Sequence, residues 1–255
     1  MPNTAAPRTL LVTGASRGIG AATARLAAQR GWDVAVNYTR DQASAEAVAA
    51  DVRAAGRRAL VIQADVADEA AVTAMFATLD REWGPHGLGG LVNNAGIVAM
   101  QARLDEMDIA RWRRMMDVNI IGTLHCAREA VKRMSTRHGG VGGAIVNLSS
   151  VAAVLGSPAM YVDYAASKGA IDAFTLGLGR ELATEGVRVN AVRPGIIETE
   201  IHADSGDAQR PYKSAAVIPM QRPGTALEVA EAIVWLLEPG ASYVTGSVVS
   251  VTGGR

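Results

Sequence analysis

A single cysteine, Cys126, stands in 255 residues. It excludes an intrachain disulfide and leaves no partner for a cysteine-rich metal site, which fits a reducing compartment. Charge of one sign is equally scarce: Lys+Arg and Asp+Glu are 25 each, for a formal net charge of zero. That balance implies neither a polybasic nucleic-acid surface nor an acidic tail. No apolar run approaches the roughly 18 residues a membrane span needs. The stretch from Met1 to Arg8, with Pro2, Asn3 and Pro7, has no apolar signal-peptide core. A soluble, cytoplasmic protein without nucleic-acid or membrane partners is therefore expected, with residues 1–7 a flexible N-terminus. His86, His125 and His138 are scattered, and no metal site is expected. Repeats and linkers are missing too. Gly139-Gly140-Val141-Gly142-Gly143 is a loop leading into a strand, too short to separate domains.

What is present is enough for one large core, with 49% hydrophobic and 20% charged residues. Strand-like runs at 10–13, 34–38, 59–64, 90–93, 144–149, 187–192 and 248–251 alternate with Ala-rich stretches such as 21–30, 43–55 and 69–83. Within the last of these, Val72, Met75, Phe76 and Leu79 recur at helical spacing. Runs such as Leu10-Leu11-Val12 are apolar without alternation, as strands are when helices cover both faces of a parallel sheet. The expectation is one α/β domain over residues 1–255, a doubly wound parallel sheet of about seven strands.

The first strand runs into Thr13-Gly14-Ala15-Ser16-Arg17-Gly18-Ile19-Gly20, where a helix pattern begins. Glycines there let the backbone turn tightly and approach a pyrophosphate, and unpaired N–H groups at a helix start favour negative charge. The bland alternative is an ordinary tight turn. The second signal is Tyr164-Ala165-Ala166-Ser167-Lys168. Residues four apart share a helix face, so phenol and ammonium lie side by side. With 5 Tyr and 3 Lys in the chain, about 0.06 such pairs are expected by chance. An adjacent cation favours the phenolate and would move a phenol pKa near 10 toward the working range, which suits proton transfer. The alternative is a surface pair that only supports the helix.

Together with Asn93-Asn94-Ala95-Gly96, Asn119, Ser149-Ser150 and Pro194-Gly195, these motifs stand in the order used by the classical short-chain dehydrogenases/reductases, which the chain resembles over nearly its whole length. The resemblance implies a seven-stranded Rossmann-like sheet, a nicotinamide cofactor and hydride transfer to or from a carbonyl or alcohol carbon. It implies that Tyr164 is the proton donor or acceptor and that Lys168 lowers its pKa and binds the nicotinamide ribose. Ser150 would hydrogen-bond the substrate oxygen, and Asn119 would help hold a water linking Lys168 to solvent. Cofactor contacts are implied at Gly14, Ser16, Arg17, Gly18, Ile19, Gly20, Asp65, Val66, Asn93, Ala95, Gly96, Pro194, Gly195, Ile197 and Thr199. One departure is that Tyr164 follows Ser150 by 14 positions, one more than usual in the family. Ser149 is therefore kept as the alternate, with a strand-end hydroxyl bonded to local backbone as its plain reading. Asp65 also reads as a helix cap, Asn93-Asn94-Ala95-Gly96 and Pro194-Gly195 as plain turns.

Charge argues the cofactor. The second strand ends in Asn37-Tyr38-Thr39-Arg40 with no acid before Asp41, and Arg17 sits in the glycine loop. A 2′-phosphate needs cations there, whereas a 2′-hydroxyl is usually held by Asp or Glu. NADP(H) is thus expected over NAD(H), with Arg17 and Arg40 as phosphate ligands and Tyr38 and Thr39 at that end of the site; either Arg could instead be a solvated surface charge. The substrate is expected to be a small carbonyl or alcohol. The alternatives are 3-oxoacyl-carrier-protein reduction, sugar 1-dehydrogenation, or a nucleotide-binding sensor without turnover. Glu185, before Gly186, stands where carrier-protein reductases often place a basic residue, and disfavours an acidic partner. A homotetramer is implied by the resemblance, and Ile171, Phe174, Leu176 and Leu178 spread apolar surface around one helix. Arg111-Trp112-Arg113-Arg114 reads as a solvated helix face, His202 as an exposed loop residue or pocket group, Tyr161 as pocket wall, and Cys126 as a small packed residue.

Overall fold

The computed structural model describes residues 8–255; the N-terminal tail expected at 1–7 lies outside the described residues. In chain order the strands are β1 (Thr9–Val12), β2 (Asp33–Tyr38), β3 (Ala59–Gln63), β4 (Gly90–Asn93), β5 (Gly143–Leu148), β6 (Val187–Pro194), β7 (Ile197–Glu198), β8 (Gly224–Thr225) and β9 (Val248–Val251). The α-helices are α1 (Gly18–Gln29), α2 (Gln42–Ala54), α3 (Glu69–Trp83), α4 (Ile109–Met116), α5 (Gly122–Met134), α6 (Ala152–Leu155), α7 (Val162–Glu181), α8 (Ile201–Asp204), α9 (Arg210–Lys213) and α10 (Ala226–Leu237). Seven strands form one sheet in the order β3-β2-β1-β4-β5-β6-β9, and β7 and β8 pair separately. Every pairing is parallel.

The absence of alternation in the strands has its cause here. Leu10 and Val12 pack into the core shared with α1, α2 and α10, while Leu11 packs into the opposite core with α3, α5 and Leu182. Both faces of each inner strand are buried, so both sets of side chains must be apolar. Strand order reverses direction between β1 and β4, the switch point at whose carboxyl ends open α/β sheets bind ligands. The glycine loop and Asn93-Asn94-Ala95-Gly96 leave the sheet there.

Two boundary readings shift. Helix α1 starts at Gly18, three residues earlier than expected, because the last two glycines of the loop form its first turn. The cap of α3 is Asp68, which accepts from Ala71 N at 3.0 Å. Asp65 is therefore not that cap: it accepts from Ala67 N at 3.0 Å and from Arg114 Nη2 at 2.8 Å. Among the described residues, no helix is long and apolar enough to cross a membrane, and no group of His, Cys, Asp or Glu could hold a metal.

Candidate active site

The glycine loop is shaped by its neighbours. Gly14 (φ 60°) has a left-handed backbone, and a methyl on it would come 3.0 Å from Ala95 Cα. A methyl on Gly20 would press on Gly14 O at 2.5 Å, so the loop and the first turn of α1 approach each other as only glycine allows. Asn94 Nδ2 donates to Thr13 O and Gly14 O at 2.8 and 2.9 Å, and Asn94 N and Ala95 N both donate to Thr13 Oγ1 at 3.0 Å. From the other side, Asn37 Oδ1 accepts from Gly14 N at 3.1 Å while its Nδ2 donates to Ile62 O and Ala64 O. Arg17 at the N-cap of α1 makes no side-chain cap, and no acid stands in the first turn. The N–H groups at this helix start are thus left for an acceptor such as a phosphate. A dinucleotide fits this cradle by its shape and its donors; Ser16 and Gly18 belong to the loop, and Ile19 lines the adjoining cleft.

Tyr164 and Lys168 share one face of α7 in the cleft beyond the loop, with Lys168 Nζ 5.7 Å from the Tyr164 ring centroid. Lys168 Nζ donates to Leu148 O at 2.6 Å, which pins it to the end of β5. Ser150 turns its hydroxyl to the Tyr164 phenol and accepts from Ala152 N at 3.1 Å, whereas Ser149 Oγ donates to Lys168 O at 3.3 Å. Ser150 is therefore the serine that meets the phenol, and Ser149 ties β5 to α7. Between α6 and α7, within the Ser150–Tyr164 spacing, Ser157 (φ 46°) and Ala159 (φ 56°) adopt left-handed backbone.

Burial raises the Tyr164 pKa above its ordinary value, against the hydrogen bond of Ser150 and the charge of Arg210, which lower it. The expected downward shift by Lys168 is not found, because burial dominates and the ammonium is drawn to the Leu148 carbonyl. The same burial lowers Lys168 to about 8, with Asp172 opposing. Asn119 lies in a π-turn (Asp117–Ile121) between α4 and α5. Its Nδ2 donates to Ile97 O and Ser167 Oγ at 3.0 and 3.1 Å, and its Oδ1 accepts from Ile97 N at 2.8 Å. The side chain positions the β4 loop and α7. Gly96 lies at that junction, where a methyl on it would make ordinary contact with Asn119 Oδ1 at 3.4 Å and Lys168 Nζ at 3.6 Å.

The other expected residues divide. Asn93 turns into the sheet, donating to Asn147 Oδ1 at 2.9 Å, and Asn147 in turn donates to Thr175 Oγ1. Tyr38 is buried in the α1–α2–α10 core, while Thr39 and Arg40 are exposed beside the glycine loop's end of the sheet. Arg17 pairs with Asp204 of α8, so of the two expected phosphate ligands it is the one engaged by a carboxylate. Val66 packs against Gly122 of α5. Pro194, Gly195, Ile197 and Thr199 line the cleft, and the loop lies over the glycine loop, a methyl on Gly18 meeting Thr199 Cγ2 at 3.4 Å.

Three readings are corrected. His202 is no exposed loop residue: it lines the cleft with Nε2 2.8 Å from Ile197 O, and burial lowers its pKa. Arg111 is not a solvated charge, for it forms a two-pronged pair with the buried Asp163 at 2.7 and 3.1 Å, and Asp163 Oδ1 accepts from Tyr164 N. Glu185 lies at the start of β6, whereas Pro194 at its end lines the cleft. Eight strand residues span roughly 26 Å, so within the chain Glu185 is far from the site entrance and bonded to Ser135 instead. Tyr161 does form pocket wall, and Cys126 is buried with its thiol pushed up to about 12 by burial. Asn37, Arg111 and Arg210 were not singled out as site residues from the sequence; only Asn37 left a signal, as a polar residue inside an apolar strand.

Comparison with known proteins agrees with this geometry. A family model described as enoyl-(acyl carrier protein) reductase matches residues 14–255. The uncharacterized oxidoreductase YgfF of Escherichia coli is 54% identical over 96% of this chain and 98% of its own. The cis-4-hydroxycyclohexanecarboxylate dehydrogenase of Sinomonas cyclohexanicum is 40% identical over 98% and 96%. The crystal structure of a short-chain dehydrogenase from Burkholderia cenocepacia in complex with NADP superposes with a TM-score of 0.88, at 33% identity and 98% coverage of both chains. The chain belongs to the classical short-chain dehydrogenase/reductase family of oxidoreductase enzymes.

Proposed function

We propose that the chain is an NADP(H)-dependent oxidoreductase acting on a small carbonyl compound or secondary alcohol, with Ser150, Tyr164 and Lys168 at the reacting centre and Asn119 positioning them. The observation that carries this is the cleft of about 520 Å³ in which Ser150, Tyr164 and Lys168 meet beside the glycine cradle. Reduced nicotinamide, when bound, supplies the hydride. In the reductive direction Ser150 donates a hydrogen bond to the carbonyl oxygen, and Tyr164 gives that oxygen its phenolic proton. Lys168, below its pKa of about 8, is a cation 5.7 Å from the Tyr164 ring centroid, and Ser150 and Arg210 are the groups that favour the phenolate left behind. The buried phenol is protonated at neutral pH, the form that reduction needs.

The cofactor preference rests on charge. Thr39 and Arg40 follow β2, no acid precedes Asp41, and Asp41 is occupied as the N-cap of α2, accepting from Ser44 N at 2.9 Å. Arg40 has no ion-pair partner among the described residues, and Arg17 can exchange Asp204 for a phosphate. The ratio of kcat/KM for NADPH and NADH tests this, and a preference for NADH would overturn it. Free small substrates are preferred over carrier-bound ones in this reading, although the position of Glu185 removes the charge argument for it. A thioester attached to acyl-carrier protein that greatly outperforms its short analogue would favour carrier-protein reduction instead. The working form is a homotetramer, in keeping with the apolar outer face of α7.

A further inference from the structure

The substrate side of the cleft carries charge of one sign. The charged side chains lining it are those of Lys168, Arg210 and Arg255, and no Asp or Glu lines it, in a protein whose formal net charge is zero. Lys168 is spoken for by Leu148 and the reacting centre. Arg210, on α9, is held differently. Its Nη1 donates to Tyr161 Oη at 2.5 Å, and its guanidinium carbon lies 4.9 Å from the centroid of the Tyr161 ring. The remaining guanidinium donors, Nε and Nη2, have no acceptor among the described residues, and no carboxylate pairs with this arginine there. The acids nearby are engaged elsewhere: Asp207 accepts from Lys213 Nζ at 2.9 Å and from Gln209 N at 3.2 Å, and Asp204 pairs with Arg17. His202 beside it bonds Ile197 O and is held neutral by burial. The rest of this wall is apolar, with Leu155, Met160, Ile196 and Ile201.

A guanidinium fixed against an aromatic face, with one edge of parallel donors unpaired and apolar walls around it, is matched to a carboxylate. Arg210 is half-buried, and an anion in the cleft would meet its unpaired donors within reach of the apolar wall. The charge of Arg210 reaches the reacting centre, since it acts on Tyr164. We propose that Arg210 selects the substrate, and that the substrate is a compact apolar keto or hydroxy acid whose carboxylate pairs with Arg210 while its carbonyl or hydroxyl carbon lies at Ser150 and Tyr164. This rests on the oxidoreductase reading above and names its substrate class.

The test compares kcat/KM, with NADPH saturating, for 3-oxobutanoate, 4-oxopentanoate and 5-oxohexanoate against their methyl esters and simple neutral ketones. In the wild type at least one acid is expected to exceed its ester by about tenfold or more, the size of hydrogen bonds to a charged group. In Arg210→Met that acid-to-ester ratio falls to about unity, and in Arg210→Lys it is partly kept. An ester preference in the wild type, turnover of the neutral ketones without the acids, or a ratio that Arg210→Met leaves intact overturns the assignment. Should Arg210→Met lose its fold by circular dichroism, the ratio is read in Tyr161→Phe, which removes the hydroxyl that fixes Nη1. A ratio unchanged there, and unchanged by salt in the wild type, overturns it equally. Turnover of none of these carbonyls overturns the oxidoreductase reading itself, a distinct result.

Discussion

Burial acts in opposite directions on the two groups of the Tyr164–Lys168 pair: the phenol is raised and the ammonium lowered to about 8. For Lys168 the sign is set by a folded pKa below the ordinary value of 10.5. The unfolded chain binds the proton more tightly, so the cost of this residue is fully present below pH 8 and fades as pH rises through 8 toward 10.5. At most ~3 kcal/mol follows from that shift. Lys168→Met is accordingly expected to be more stable than the wild type at pH 7, by ~1–3 kcal/mol in urea denaturation, while losing NADPH turnover. Equal or lower stability would contradict the buried charge. The pair was legible in the sequence because four residues of helix bring its members together without help from the rest of the fold. Arg210 with Tyr161 and Arg111 with Asp163 were not, since 49 and 52 residues separate the partners and only the tertiary fold joins them. Asp65 misled because a carboxylate before a helix has the same chemistry whether it caps that helix or bonds Arg114.

The elements that carry the site differ in how plainly their residues announce them. The inner strands of the main sheet read as largely apolar runs, since each must satisfy two cores at once, broken by polar residues such as Asn37 and Asn147. The segment covering the cleft did not announce itself: α8 and α9 have 4 residues each and β7 and β8 have 2, too short for any periodicity to emerge. Their placement comes from tertiary contacts such as Arg17 with Asp204. At the glycine loop the close approach makes a sharp expectation. Gly20→Ala sets a methyl against Gly14 O, so the loop must open. A loss of ~1–3 kcal/mol in stability is expected from the overpacking, with a KM for NADPH raised about tenfold or more. Thermal denaturation and initial-rate kinetics check it, and a variant with an unchanged KM would show that the loop does not cradle the cofactor.

At the scale of the whole molecule, apolar side chains stay exposed along α7 and beside α5. On α7, Ile171 and Thr175 face the core, while Leu176 is 41% exposed and a methyl on Gly177 would meet nothing within 4 Å. Beside α5, Ile121 is 40% exposed. In the tetramer proposed above this face of α7 packs on another copy of the chain, so light scattering at micromolar concentration is expected to give about four times the 26.5 kDa chain mass; a mass near 26.5 kDa would reject the tetramer. In the reading proposed above, this molecule reduces a carbonyl with NADPH through the Tyr164 proton. This reaction is tested most directly by following reduced-nicotinamide absorbance with a panel of small carbonyl compounds, in the wild type and in Tyr164→Phe. Consumption by the wild type, and a rate lower by about 10²–10⁴ in a variant that still binds NADPH, is the expected result. Binding of NADPH with no consumption on any carbonyl, or a Tyr164→Phe variant as fast as the wild type, would contradict the account.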